Sequence, residues 1–221
     1  MVSAVIFDWD GTLADTRQAV VQSFQTVLTE AGCNVSDEFI ERLMGVGTKK
    51  TIIEAFRECK KRIDVSTMER LDSQKIAIQI SLTSMVSLLD GAVDLLEALQ
   101  GKTRMAVATM SHRKVIDTLL PEKGIRKYFE VVISADDVAN PKPDPEVFLV
   151  TAEKLKVDRR DCVVVEDSVF GIKAARDAKM KCIAVSTGVY SQQELLEEKP
   201  DLLVASLADR QKILKFIFGN K

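Results

Sequence analysis

The sequence predicts an α/β fold with a parallel sheet and an inserted all-helical cap, and two observations lead to this prediction. Short β-branched segments recur along the chain with helical stretches between them, which is typical of βαβ units covered on both faces. One long interval interrupts this alternation with helical periodicity alone, which indicates an insertion. The predicted strands are Val2 to Phe7, Arg104 to Thr109, Val131 to Ser134, Cys162 to Glu166, Cys182 to Ser186 and Leu202 to Ala205.

The insertion separates two parts of the predicted core. Apolar residues recur at helical spacing throughout the interval. The turn dipeptide Asp90-Gly91 ends it. We therefore expect a core from residues 1–16 and 90–221, with a helical cap from residues 17–89.

Composition and charge exclude several classes of protein. The 221 residues include 31 basic and 33 acidic side chains, which gives a formal net charge of −2. Such a balance provides no field that would attract nucleic acid or an anionic membrane surface. The apolar segments fall far short of the roughly 20 residues that span a bilayer, and we expect no leader ahead of the first strand. These features predict a cytoplasmic protein without nucleic-acid or membrane partners.

Four cysteines are scattered along the chain: Cys33, Cys59, Cys162 and Cys182. No pair has the close spacing of a zinc site. Cys162 and Cys182 each begin an apolar segment, which is typical of buried core cysteines. We expect no structural disulfide.

Two acidic residues follow the first strand directly. Asp8 and Asp10 lie two residues apart and precede Gly11. Ligands of open α/β sheets bind at the carboxyl ends of the strands, where these residues fall. Carboxylates at this spacing can share a hard cation through oxygen ligands. A solvated turn remains the alternative for this motif when it is considered alone.

Three later segments carry residues of complementary chemistry. Thr109 ends the second strand, and Met110 follows at a strand-to-helix junction whose backbone N–H groups favour an anion. Lys142 lies between prolines, which fix its ammonium group in a stiff loop. Glu166 and Asp167 form a second acidic pair after another strand. Together these features predict a site for Mg²⁺ and phosphate.

On these motifs the chain resembles the haloacid dehalogenase superfamily of phosphohydrolases. The similar branch carries a helical cap on a Rossmann-like core and includes phosphoglycolate phosphatases and β-phosphoglucomutases. Lys179 departs from the family pattern, which usually has Gly there, and we expect this to alter a helix end and not the chemistry. The resemblance covers essentially all of the core, and its motifs stand in the family's order: Asp8-Trp9-Asp10-Gly11-Thr12, Thr109, Lys142, and Glu166-Asp167 followed by Gly171-Ile172-Lys173-Ala174-Ala175.

The resemblance implies a Mg²⁺-dependent phosphatase that acts on a small phosphorylated metabolite, as a monomer or weak dimer. Asp8 would attack phosphorus to form an aspartyl-phosphate, while Asp10 would act first as acid and then as base. Further roles follow from the same resemblance. Asp8, Asp10 through its main-chain carbonyl, Glu166 and Asp167 would hold the metal, and Thr109, Met110 and Lys142 would bind the phosphoryl oxygens.

Lys49 is a candidate substrate-binding residue of the cap. It follows the loop Gly45-Val46-Gly47, which in similar family members reaches over the site when the cap closes. An ammonium group there could bind a second anionic group of the substrate. A solvated basic face is the alternative, since Lys49 begins a basic stretch of the cap.

The alternatives to phosphate-ester hydrolysis are a mutase, a dehalogenase, a phosphonatase and a signalling or binding module. Similar mutases carry a histidine where Val20 stands, dehalogenases lack the counterpart of Asp10, and phosphonatases need a cap lysine where Thr48 stands. A signalling or binding module that accepts phosphate on Asp8 would need neither a cap nor a second-step base. The sequence favours the phosphatase, with the mutase and the signalling module as alternatives.

Four residues near the motifs are expected to have structural roles and not to act on the substrate. We expect Asp15 and Thr16 to cap the helix that follows. We expect Trp9 to pack beside the site. We expect the side chain of His112 to be solvated or satisfied by protein groups and not to contact substrate.

Overall fold

A six-stranded parallel sheet lies at the centre of the protein, in a computed structural model that describes residues 2–219. In chain order the strands are β1 Ala4–Phe7, β2 Ala14–Asp15, β3 Ser87–Leu88, β4 Arg104–Ala108, β5 Val131–Ile133, β6 Cys162–Glu166, β7 Lys181–Val185 and β8 Leu202–Val204. The helices are α1 Arg17–Glu30, α2 Asp37–Glu41, α3 Thr48–Glu58, α4 Val65–Ser81, α5 Ala92–Leu99, α6 Arg113–Glu122, α7 Glu146–Leu155, α8 Val169–Asp177, α9 Gln192–Glu197 and α10 Arg210–Phe218.

The strand order of the sheet, β5-β4-β1-β6-β7-β8, confirms the predicted fold class. The chain builds one side of β1 first and then crosses to the other, so the direction of winding reverses at β1. Phe7 at the end of β1 pairs with Val107 on one side and Val165 on the other. Residues that follow these three strands therefore meet at one edge, where ligands of such sheets bind.

Both faces of the sheet are buried, which explains its near-continuous apolar strands. Val5 and Phe7 point into one apolar cluster, which also contains residues of α5, α6 and α10. Ala4 and Ile6 point into another cluster on the opposite face, with residues of α7, α8 and α9. This two-sided packing holds the carboxyl end of β1 in a fixed place.

The insertion between β2 and β3 contains helices α1 to α4 around an apolar cluster of their own. The short strands β2 and β3 pair with each other in antiparallel fashion, where the chain leaves and re-enters the core. The apolar pattern predicted helical structure almost to residue 89, but α4 ends at Ser81, and a 3₁₀ turn and β3 follow. The predicted boundaries of the cap, 17–89, stay a prediction.

The expectation of no disulfide is wrong. Cys33 and Cys59 form a disulfide, and their Cα atoms lie 5.8 Å apart. Their separation of 26 residues gave no sign of it, because α1 and α3 each pack against α4, and only the folded insertion brings Cys33, just after α1, to Cys59 at the end of α3. Cys162 and Cys182 are free and buried, as predicted.

Within residues 2–219, no helix has both the length and the apolar character that crossing a membrane would require.

Candidate active site

Asp8 stands at the carboxyl end of β1 and is almost fully buried. Its backbone N–H donates to the carbonyl of Val165, which continues the ladder to β6 by one residue. The turn that follows needs a glycine, since Gly11 has a φ of +79° and a Cβ there would lie 2.3 Å from Oδ2 of Asp167. The Asp-x-Asp-Gly motif therefore brings the first strand end against the acidic pair.

Lys142 connects the two acidic motifs. Its ammonium nitrogen lies 2.6 Å from Oδ1 of Asp8 and 2.6 Å from Oε1 of Glu166, and the side chain is 0% exposed. Burial alone would lower the pKa of Lys142, but the two carboxylates outweigh it and raise the pKa above its usual value. Lys142 is therefore a fixed cation at the end of β1.

Glu166 is held by the start of α8. Its Oε2 accepts hydrogen bonds from the backbone N–H groups of Asp167 and Ser168 and from the Ser168 hydroxyl, each at 2.9 Å. A Cβ at Gly171 would lie 1.8 Å from Oε1, so a glycine is required where the helix passes the carboxylate. Both oxygens of Glu166 are thus engaged by protein donors.

Three buried carboxylates could hold a metal ion. Oxygens of Asp8, Glu166 and Asp167 lie within 4.8 Å of one another. Burial raises the pKa of Asp8 and of Asp167, and one ammonium group, that of Lys142, balances only part of the negative charge. A divalent cation would supply the missing positive charge, and a set of oxygen ligands suits Mg²⁺. The residues present therefore fit this ion.

The side chain of Asp10 points to a different group of donors. Its Oδ1 accepts a hydrogen bond of 2.7 Å from the Thr16 hydroxyl, and its Oδ2 accepts one of 2.8 Å from the Ser111 hydroxyl. Thr109 approaches Oδ2 at 3.4 Å. The expectation that Thr16 caps α1 is wrong, because its side chain makes no cap hydrogen bond and bonds Asp10 instead. Sequence reasoning did not assign Ser111 to the site, although its hydroxyl adjoins Thr109-Met110.

Thr109 and Met110, which follow β4, are both buried. Thr109 is 0% exposed, and its backbone N–H donates to Ile133 of β5. Its Oγ1 accepts a hydrogen bond from the N–H of Ser111. Met110 is buried and lines the cavity next to Asp10. Trp9 is fully buried in the core, as predicted.

The insertion covers Asp10 and leaves a cavity of about 30 Å³ beside it. The cavity wall includes Val20, Phe24, Gly45, Gly47, Lys75 and Met110. The Gly45-Val46-Gly47 loop thus lies over the core motifs, as expected.

Lys75 of α4 is a cation that sequence reasoning missed. It is buried in the cavity wall, where its ammonium nitrogen lies 2.5 Å from Oε1 of Gln79 and 4.6 Å from the centre of the Phe24 ring. Burial lowers the pKa of Lys75 to about 8, although the charges of Asp10 and Asp72 oppose the change. Such a perturbed group in a cavity is a candidate for function.

A signal for Lys75 was present in the sequence. Lys75 follows Leu71 by four residues and precedes Ile78 by three, so it falls on the apolar stripe of its helix. A lysine on such a stripe must reach solvent or face a polar site.

Lys49 lies at some remove from Asp10. It is exposed at the start of α3 and lines a neighbouring cavity of about 350 Å³, together with Lys50 and His112. The two cavities share Met110 and the residues at the end of the Gly45-Val46-Gly47 loop. The structure thus brings the predicted core residues together and places Lys49 at the edge.

Comparisons with known proteins agree with this arrangement. A family model described as haloacid dehalogenase-like hydrolase matches residues 5–185. A fructose-1-phosphate phosphatase of Escherichia coli (strain K12) is 34% identical over 184 residues, which cover 83% of this chain and 96% of that protein.

Solved structures share the fold over almost the whole chain. A hydrolase from Pseudomonas syringae has a TM-score of 0.88 at 26% identity, covering 97% of this chain and 99% of that one. A β-phosphoglucomutase from Clostridium difficile has a TM-score of 0.87 at 24% identity, covering 98% and 99%. The second likeness concerns the fold alone.

Proposed function

The chain belongs to the haloacid dehalogenase-like hydrolase family, and on that premise we propose a Mg²⁺-dependent phosphatase that hydrolyses a small sugar phosphate through an aspartyl-phosphate on Asp8. The family match and the relative named as a phosphatase confirm the predictions of family and enzyme class. The observation that carries the mechanism is the separation of two aspartates. Asp8 faces Lys142 and the acidic pair, while Asp10 faces the cavity and the hydroxyls of Thr16 and Ser111.

Asp8 is placed to act as the nucleophile. Its carboxylate is held at 2.6 Å by Lys142, whose charge also offsets that of an incoming phosphoryl group. The bond that forms joins a carboxylate oxygen of Asp8 to phosphorus, and the bond that breaks joins phosphorus to the ester oxygen. Mg²⁺, when bound by Asp8 and Asp167 beside Glu166, supplies further positive charge for the phosphoryl oxygens.

Asp10 is placed to move protons. In its protonated form it donates to the departing ester oxygen, and as a carboxylate it then takes a proton from the water that hydrolyses the aspartyl-phosphate. The hydroxyls of Thr16 and Ser111 each hold one oxygen of Asp10, which fixes its orientation in both steps. Thr109 and the N–H of Met110 remain our candidates for contacts with the phosphoryl group.

Hydrolysis is favoured over phosphoryl transfer between sugar hydroxyls. Val20 is buried in the cavity wall, beside Asp10 and Phe24, where it offers no proton acceptor for a second hydroxyl group. A signalling module is disfavoured, because it would need neither a cap over the site nor a second-step base. Here the cap is present, and hydrogen bonds from Thr16 and Ser111 hold Asp10 in place as that base.

The proposed substrate class follows from the cavity and from the relative. Lys75 can bind a hydroxyl or a second anionic group, while Val20 and Phe24 provide apolar contact. The E. coli relative is named for fructose 1-phosphate, and we propose a similarly small sugar phosphate here. Lys49, at the edge, stays a secondary candidate. The cytoplasmic location and the monomeric or weakly dimeric state also stay predictions.

Steady-state release of phosphate tests the proposal. A panel of sugar phosphates and other phosphorylated metabolites is supplied with Mg²⁺, and we expect multiple turnovers on at least one sugar phosphate. Asp8→Asn should abolish turnover, whereas Asp117→Asn, at a side chain that is 57% exposed, should not. Normal phosphate release by Asp8→Asn would refute the covalent mechanism. A single stoichiometric phosphorylation without turnover would favour the signalling module.

A further inference from the structure

His112 is the chain's single histidine, and it bridges the core and the insertion. It follows Ser111 and directly precedes α6. Its Nε2 lies 2.8 Å from Oδ1 of Asp72 on α4, and its Nδ1 lies 3.1 Å from Oδ1 of Asp136 in the core. The side chains of His112 and Asp72 are only 12% and 11% exposed. His112 is therefore satisfied by protein groups, as expected, and these groups come from both sides of the boundary.

The two contacts require a particular protonation state. An imidazolium has two N–H donors, whereas a neutral imidazole has one donor and one acceptor. Because both partners are carboxylates, only the imidazolium can donate to both. Burial lowers the pKa of His112, but the hydrogen bonds and charges of Asp72 and Asp136 outweigh it and raise the pKa above 6.5.

The contact with Asp72 bears on the cavity beside Asp10. Asp72 precedes Lys75 by three residues, so both side chains lie on one face of α4. Lys75 is in the cavity wall. The bond between His112 and Asp72 therefore ties the core to the segment of α4 that presents Lys75.

A second polar contact joins the insertion to the core at α9. Arg42 forms an ion pair of 2.5 Å with Glu194 and lies over the ring of Tyr190. Its partners belong to a different part of the core and do not include α4. It can hold the insertion against the core, but it does not fix the face of α4 that carries Lys75.

We propose that His112 is a positioning residue, which holds α4 and its Lys75 over Asp10 by bonding Asp72 across the boundary between insertion and core. The contact acts on substrate binding and leaves the chemical step to the residues at the strand ends. Loss of the proton from His112 removes one of its two hydrogen bonds and weakens the hold on α4. This inference goes beyond the proposed function, because it concerns how α4 is held over the site whichever phosphate ester binds.

Other charged groups surround His112 and must be separated from it in a pH experiment. Lys75 is the principal one, since its pKa of about 8 falls in the range of interest. The wild type and His112→Ala both keep Lys75, Asp72 and Asp10, so a comparison of these two proteins separates the titration of Lys75 from that of His112. The charged groups that face His112 are Asp72 and Lys75 from α4, Asp136 and Asp137 from the turn after β5, Arg113 from α6, and Lys49 and Lys50 from α3.

The test compares His112→Ala, Asp72→Asn and the double variant with the wild type. The matched control is Glu69→Gln, which removes a carboxylate from an exposed position one turn earlier on α4. The probe is fructose 1-phosphate with Mg²⁺ at about pH 6, where His112 is protonated and where the sugar hydroxyls offer groups that Lys75 can bind. We expect each single variant to raise KM about tenfold, the scale of a lost charged hydrogen bond, with little change in kcat. The double variant should match the single variants, because both remove the same contact.

Two further measurements separate positioning from a general loss of structure. As the pH rises through the pKa of His112, which the two carboxylates hold above 6.5, KM of the wild type should approach that of His112→Ala, since the imidazolium is lost in the wild type alone. Hydrogen exchange in residues 65–81, measured at one pH, should be faster in His112→Ala and Asp72→Asn than in the wild type and Glu69→Gln. This readout needs no turnover, so it decides the inference even if phosphatase activity is not found. Additive effects on KM, a fall in kcat alone, or unchanged exchange in α4 would overturn the proposal.

Discussion

Replacing Lys75 by Met should stabilise the protein and weaken its binding of substrate. The ammonium group of Lys75 is buried, and its pKa is about 8 instead of the usual 10.5. This difference corresponds to about 3 kcal/mol of lost stability for the charged form, at 1.36 kcal/mol per pKa unit. Met has a similar length and no charge, so we expect Lys75→Met to raise the free energy of unfolding at pH 7 by up to about 3 kcal/mol.

The pH dependence of that gain has a definite sign. Below about pH 8, Lys75 is protonated in both the folded and the unfolded state, so its full destabilising effect is present. Between about pH 8 and 10.5, the unfolded state binds more protons at this group, and the wild type gains stability as the pH rises. The advantage of Lys75→Met should therefore be greatest at pH 7 and shrink towards pH 10.5.

Urea denaturation at several pH values and steady-state kinetics measure the two effects. We expect Lys75→Met to raise KM for the best sugar phosphate about tenfold or more. The exposed Lys49→Met serves as control and should change the free energy of unfolding by less than about 0.5 kcal/mol. Its effect on KM should be smaller than that of Lys75→Met. A Lys75→Met variant that is less stable than the wild type at pH 7, or equal to it in KM, would refute the reasoning.

Three other predictions concern the remaining parts of the molecule. Asp10→Asn should slow turnover by roughly 10²-fold or more, because a positioned acid and base is lost, and an unchanged rate of phosphate release would contradict this. Chelation followed by dialysis should abolish phosphate release, and added Mg²⁺ should restore it. Without the cation, the carboxylates of Asp8 and Asp167 repel the phosphate. Full activity without divalent cations would exclude the proposed metal site. Lys179 follows α8 with a φ of +62°, so Lys179→Gly should raise the free energy of unfolding by about 0.5 to 1 kcal/mol in urea denaturation. Lys181→Gly, in strand β7, should instead lower it, and a loss of stability in Lys179→Gly would show that strain at this helix end is not relieved.

The sequence alone determined the sheet and the group of residues at its edge. Each of its six predicted strands corresponds to a strand of the sheet within two residues at either end. Periodicity sufficed because parallel strands are buried on both faces and their apolar segments are continuous. Asp8, Thr109 and Glu166 could be placed together without a structure, since the carboxyl ends of neighbouring parallel strands meet by construction.

Only the tertiary structure decided which side chains of the insertion reach the site. Lys49 follows the loop over the core and was the candidate from sequence, yet Lys75, in the last helix of the insertion, lies beside Asp10. The approach of α4 to the core depends on packing among four helices and on contacts such as that of His112 with Asp72.

The role of Thr16 and the disulfide between Cys33 and Cys59 could not be predicted from the sequence either, because both depend on contacts that form only in the folded protein. Local patterns report the neighbours of a residue along its own helix or strand. The hydroxyl of Thr16 could serve locally as a helix cap or bond Asp10, and in the folded structure it bonds Asp10. The two cysteines meet only because the helices of the insertion pack together, which no spacing along the chain encodes.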